Sequence, residues 1–213
     1  SSGEQLIKTF DLYIVSTESA FKIENCHIKT GDFVFERERP LTLNVSGQGE
    51  KLTRVGNSTY TVPGSVVSSS ATYTPTTPVL DVEIGGADVP NLVNTTLSVQ
   101  NNTNFKGYET LQNSLSVTNN TNAMYPNGFF LEDRIVSGNI TQFVTSTNSS
   151  TFFDFSTNSN IAIKTLVNGS TFFNANLTGC MFTKRIQVGE AIQDVIDFRL
   201  VSSPTNLNTI ITY

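Results

Sequence analysis

Val195-Ile196-Asp197-Phe198-Arg199-Leu200-Val201 alternates in polarity from residue to residue. Successive side chains on a pleated strand project to opposite faces, so Ile196, Phe198 and Leu200 point one way while Asp197, Arg199 and Val201 point the other. The same period of two recurs outward from this stretch along the whole chain. Ile161 to Ile163 and Phe172 to Phe182 precede it as strands, and Leu131 to Thr145 reads as another with Ile135, Ile140 and Phe143 for the core. Val79 to Ile84 forms a strand that ends in the turn Gly85-Gly86, and Leu92 to Gln100 forms the next. Leu41, Leu43 and Val45 alternate with Thr42, Asn44 and Ser46, the pattern of a half-buried strand. Phe21, Ile23, Cys26 and Ile28 read as one strand with a slip in its middle. Gly31-Asp32 signals a turn, and Phe33 to Arg39 is extended up to Pro40. Glu36, Arg37, Glu38 and Arg39 read as a solvated strand edge.

Composition agrees with strands. Only 15% of the 213 residues are charged, against about 25% in an ordinary soluble domain. The surplus is Asn, Thr and Ser, whose side chains compete with helical hydrogen bonding and favour strands, turns and caps. Fifteen Phe and no Trp leave the core to Phe, Ile, Leu and Val. One short helix is expected at Phe152 to Phe155, with Ser149 or Ser150 as its N-cap and Asp154 early in its turn. The predicted fold class is all-β, with a single short helix at its flank.

Three segments follow from the pattern. Residues 1–55 are β-rich, and read as the end of a first domain. Residues 56–78 are rich in Ser, Thr and Pro and nearly charge-free, as in a linker or long surface loop. Residues 79–213 form the main β domain. Within it, Asn101 to Asn127 is a long polar stretch in which Leu111, Leu115 and Val117 suit a short strand or one arm of a hairpin. One internal similarity links the ends of the chain. Phe21 to Cys26 is followed after fifteen residues by the strand from Leu41, as Ala175 to Cys180 is by the strand from Val195. With Ser1 in place of an initiator Met, this repeat leads us to expect a chain that begins mid-protein.

The residues that carry chemistry are sparse. A net charge of −5 and a pI near 4.8 argue against a protein that grips nucleic acid, which needs a basic footprint. No apolar run approaches the roughly 18 residues of a membrane-spanning helix, and no membrane partner is expected. The single histidine, His27, adjoins Cys26, and neighbours on a strand face opposite ways, so they cannot form a dyad. His27 is expected at the surface beside a core cysteine. Cys26 and Cys180 are expected as free, buried thiols. One His and two distant Cys cannot supply a tetrahedral metal set, and no phosphate loop, dinucleotide loop or nucleophile elbow is present. No enzyme activity, cofactor or metal is expected. Sequons are common, for example at Asn44, Asn57, Asn94, Asn139, Asn148, Asn168 and Asn176. In so Asn-rich a chain they read as unmodified polar positions, with Asn44 and Asn94 inside strands.

Four landmarks recur in order: the Cys-containing strand with its alternating successor, Phe21 to Gly49; Val82 to Gly86 leading into Leu92 to Asn101; Arg134 to Thr141 ahead of Phe152 to Phe155; and Leu177 to Thr183 followed by Val195 to Ser202. Together they resemble the tail tube (major tail) proteins of long-tailed bacteriophages. The likeness covers most of the chain through short motifs, although members often carry more sequence before the region matching Phe21.

The resemblance implies a β-sandwich or partly rolled barrel flanked by one helix. It further implies self-assembly into stacked hexameric rings, or trimeric rings of two-domain subunits, in a phage tail. Partners would be other copies, other tail proteins, and DNA passing without tight binding. The family's bridging loop and terminal arm map to Asn101–Asn127 and Ser203–Tyr213. Phe105, Tyr108 and Tyr125 in the polar loop, and Tyr213 at the tail, are the candidate subunit-contact residues. Loop aromatics that fold back on their own domain would look the same in sequence. The alternative from another class is an extracellular β-sandwich adhesin or receptor-binding domain, which the Ser/Thr/Pro segment and the sequons also suit.

Overall fold

The computed structural model describes residues 7–36, 39–64, 79–105, 128–146, 148, 156–204 and 206–212. Twelve strands make one antiparallel sheet. They are β1 Phe10–Val15, β2 Ala20–Glu36, β3 Thr42–Gln48, β4 Lys51–Gly56, β5 Val79–Ile84, β6 Ala87–Asp88, β7 Leu92–Phe105, β8 Phe129–Phe143, β9 Ser159–Val167, β10 Ser170–Val188, β11 Ile192–Leu200 and β12 Ile211–Thr212. Among the described residues the one helical element is the 3-10 turn Leu207–Thr209. The helix expected at Phe152–Phe155 lies outside the described residues, as do 106–127 and most of the 56–78 segment.

The main path runs β1-β2-β7-β8-β11-β10-β9-β5-β6. β2 pairs with β7 from Thr30↔Gln100 to Glu36↔Asn94, so the chain before and after residues 65–78 shares one sheet. Hydrophobic burial folds the sheet over on itself. Leu97, Val136, Ile140, Ile196 and Phe198 face Val82, Ile161, Ile163, Ala175 and Leu177, all nearly or fully buried. Each of these side chains other than that of Ala175 contributes roughly 1.5–3 kcal/mol on removal from water. Phe173 of β10 closes the open side of the core, with its ring centroid 5.1 Å from Phe33 and 5.2 Å from Phe35 of β2.

Gly31-Asp32, expected as a turn, instead sits inside β2. Gly31 is buried and pairs with Val45 on one side and Val99 on the other. A glycine between two partner strands marks a close approach rather than a reversal. The slip expected between Ile23 and Cys26 is a β-bulge. Asn25 takes a left-handed φ of 50°, and the register with β1 jumps from Phe10↔Cys26 to Leu12↔Ile23. A matching bulge lies in β10, where Gly179 has φ 78° and the register with β9 jumps from Leu177↔Ile161 to Cys180↔Ser159. Each bulge immediately precedes a cysteine. The two repeats thus share a backbone device as well as a sequence spacing.

β3 and β4 both pair with β2, from Val34↔Thr42 to Ala20↔Gly56, and act as one returning strand broken at Gly49-Glu50. β3 is exposed on both faces, with Leu43 and Val45 more than half exposed, so the expected half-buried strand is corrected to an unpacked one. Its alternation is real, but no second layer covers it. Phe143, expected in the core, is also exposed, because β8 runs past the edge of the second layer there.

Candidate functional site: a near-neutral polar sheet face

The centre of the sheet has two unlike faces. Along β7, Thr95, Leu97, Val99, Asn101 and Thr103 are buried, while Asn94, Thr96, Ser98, Gln100, Asn102 and Asn104 project to the other side. Strand register aligns the outward residues into cross-strand rows. One row holds Asn44, Asp32, Ser98, Ser137, Arg199 and Met181, and the next holds Thr42, Val34, Thr96, Asn139, Asp197 and Thr183. Flanking rows add Ser46, Thr30, Gln100 and Ile135 on one side, and Glu36, Asn94 and Arg185 on the other, where Thr141 and Val195 between them are buried. No lysine occurs in these rows. Asp32, Glu36 and Asp197 stand against Arg185 and Arg199, which leaves the face close to neutral and slightly acidic.

Short side chains tie this surface together. Ser98 Oγ donates to Asp32 Oδ1 at 2.5 Å, and the Thr30 and Ser46 hydroxyls meet at 2.6 Å. Gln100 Nε2 donates to Asn102 Oδ1 at 2.9 Å, and the Asn102 amide donates in turn to Asp133. Asn104 Nδ2 donates to Glu132 Oε1 at 2.5 Å, and Arg185 Nε lies 3.3 Å from Asp197. Polar groups already bonded to one another present a smooth surface with few free donors.

His27 is fully buried, contrary to the surface position expected for it. Its ring stacks on Phe129 with centroids 3.8 Å apart and meets the edge of Phe105 at 6.0 Å. Nε2 lies 3.0 Å from Thr103 Oγ1, while Nδ1 has no hydrogen-bond partner. Burial holds its pKa below the ordinary histidine value. The Asn25 carbonyl nearby opposes the shift, Lys29 adds to it and Glu50 opposes it. The adjacent Cys26 turns the other way, towards Ile23, as strand geometry requires, and no Cys–His dyad forms.

The sign of the linkage follows. A base with a depressed folded pKa costs stability once pH falls below its unfolded value of about 6.5, and the loss grows down to the folded pKa. The melting temperature is therefore expected to fall more between pH 7 and 5 in the wild type than in His27→Phe. Parallel profiles would show that His27 does not titrate as its burial requires.

Both cysteines are free and buried, as expected. Burial pushes the Cys180 thiol up to about 11, so it stays protonated and unreactive. Of the candidate contact residues, Phe105 ends β7 opposite Phe129, half-buried against its own domain. Tyr108, Tyr125 and Tyr213 lie outside the described residues. The tail to Thr212 also lies on its own domain. Arg134, itself buried, donates from Nε to Asn101 Oδ1 at 2.7 Å and from Nη1 to the Pro204 carbonyl at 3.2 Å, and β12 pairs with Asn174 and Ala175 of β10. At Asn148 the side-chain oxygen accepts from Thr145 N at 2.6 Å and the amide donates to the Phe143 carbonyl at 2.7 Å, and the residue is buried, which leaves a glycan no room at this sequon.

Sequence reasoning did not single out the polar face, although its signal is there: every second residue from Asn94 to Asn104 is an uncharged polar one. Among the described residues, one trio of potential metal ligands comes together, Asp81, Glu83 and Asp88. The ammonium of Lys164 already occupies it, 2.6 Å from Glu83 and 3.9 Å from Asp81.

Comparison with known proteins adds one match. No curated protein matches the chain. The model of the Bacteriophage Baseplate Tube Protein Family matches residues 6–213. That span takes in both bulged hairpins and every strand of the sheet, so the chain belongs to this family and is a structural component of a phage tail or baseplate.

Proposed function

We propose that this protein is a tube subunit of the tail-tube kind. Copies of it close into rings, either hexameric or trimeric with two similar domains per chain, and the rings stack into the conduit through which phage DNA leaves. The neutral polar sheet face lines the bore. The balance of charge in its rows, Asp32, Glu36 and Asp197 against Arg185 and Arg199 with no lysine, is the observation that carries this reading. Duplex DNA bears about one negative charge per 1.7 Å, and each cation set against it releases counterions and binds. A wall of mutually bonded Asn, Ser, Thr and Gln, whose two arginines are outnumbered by three carboxylates and one of which, Arg185, is paired with Asp197, offers little such grip, and lets the duplex slide. The exposed, uncharged strand β3 supports the assembly half of the reading. A strand with free backbone groups and no charge to blunt it is suited to pairing with another chain.

Negative-stain microscopy of the purified protein at rising concentration tests the proposal. Hollow tubes or stacked rings with a bore wide enough for a duplex are expected. Dispersed monomers at every concentration would sink it.

A further inference from the structure

Two apolar surfaces lie outside the core. The first is one face of the small sheet formed by β1, the start of β2, and β4. Register aligns Leu12, Ile23 and Leu52 across the three strands, with Ile14 beside Phe21, and Phe10, Leu12, Ile14 and Leu52 are all 43–56% exposed. The second is the tip of the β10–β11 hairpin. β9 leaves β10 at Cys180, and β8 ends at Phe143 opposite Gln193, so that apart from Val144 N–H, which donates to the Ile192 carbonyl at 2.9 Å, the tip has no strand beside it among the described residues. Ile186 and Val188 project from one face of that tip with Ile192 opposite Val188, at 65%, 76% and 50% exposure.

These surfaces sit at opposite ends of the same strands. β2 is antiparallel to β7, so its residues 20–24 run beyond the end of β7 at Phe105. The hairpin tip lies beyond the other end, where Leu92 faces Gln142. Their charges are complementary as well. Arg54 stands on the sheet face beside Phe21, Glu190 stands at the tip, and neither has an ion-pair partner among the described residues. A patch at one end that fits a different patch at the other makes a head-to-tail contact, which repeats from copy to copy.

Building on the tube reading, we infer that the β10–β11 tip of one copy docks on the β1-β2-β4 face of the next copy, with Val188 and Ile186 against Leu12 and Ile14 and Glu190 against Arg54. This contact runs along the strand direction, and is separate from side-by-side pairing at β3.

The test mixes two full-length variants, Ile14→Cys and Val188→Cys, and adds a short bismaleimide. The native thiols are buried and do not compete. A covalent heterodimer in the mixture, with little homodimer from either variant alone, is the expected result. In parallel, Val188→Asp, at an exposed position, should leave the melting temperature unchanged. It should raise the concentration needed for assembly at least tenfold, roughly the loss expected on removing one buried apolar side chain. Arg54→Glu should weaken assembly, and adding Glu190→Arg should restore it. Assemblies that form normally with Val188→Asp and yield no heterodimer would overturn the docking while leaving the tube reading intact. Failure of the wild type to assemble at all would overturn both.

Discussion

Gly138→Ala is expected to lower the midpoint of chemical unfolding severely, by an amount equivalent to about 3 kcal/mol, because the core has no room to relax around the added carbon. Gly138 lies in β8 opposite Leu97 on one side and Phe198 on the other. A Cβ there would overlap the Thr96 carbonyl oxygen and lie 2.6 Å from Phe198 Cζ. The first contact is with backbone held in the β7–β8 ladder, and the second with a ring packed in the core. Neither can swing aside as the end of a flexible side chain would. A loss of this size is a large part of the ~5–15 kcal/mol that holds a domain folded. Gly31→Ala is the matched control. Gly31 also lies between two strands and is buried, but a Cβ there would meet only Leu43 Cδ1, at 3.9 Å, and near-normal stability is expected. Equal effects at the two positions would show that steric closure at the sheet centre is not what requires Gly138.

The second large effect concerns DNA. Gln100→Lys with Thr183→Lys places two ammonium groups on the polar face at exposed positions in different rows, outside the buried core. Wild-type assemblies are expected to retain no short duplex in an electrophoretic or filter assay even at low salt. The double variant is expected to retain it, with log affinity falling against log salt at a slope of about −0.9 for each phosphate neutralised. A change of two or more orders of magnitude between low and physiological salt is the signature of that slope. Wild-type protein that holds the duplex as firmly as the variant would refute the sliding-surface account. Retention by the variant without salt dependence would mean that something other than charge holds the DNA.

Strand identity was the most legible part of the fold. The alternation at Val195 to Leu200 is confirmed by burial of Ile196, Phe198 and Leu200 and by exposure of Arg199. The Gly85-Gly86 turn and the strand before it fall as read, because two glycines with positive φ permit the tight reversal. Period alone does not say whether a second layer covers a strand, and this is where Leu43, Val45 and Phe143 misled. Nor does glycine say whether it turns the chain or lets a neighbour approach, the ambiguity that Gly31 resolves in favour of approach. His27 reads as surface polar until Phe105 and Phe129, distant in sequence, enclose it. β1 and β4 went unread because their apolar residues find no core and their pattern is diluted by charge. The polar face was visible as composition only. Its meaning depends on register, which sets Ser98 beside Ser137 and Asp197 beside Asn139.

The order of strands in space also has a consequence for how the chain is made. β8 sits at the centre of the sheet, yet its second neighbour, β11, is made only after β9 and β10. About fifty residues separate Phe143 from Ile192, several seconds of translation at typical ribosomal speed. Through that interval the nascent chain carries an open β8 edge and an uncovered layer of Val136 and Ile140, the kind of surface that draws other strands. Completion of the sheet therefore waits on β11. A subunit whose sheet closes only once that distant strand has been made makes the rate of translation between Phe143 and Ile192 a determinant of yield.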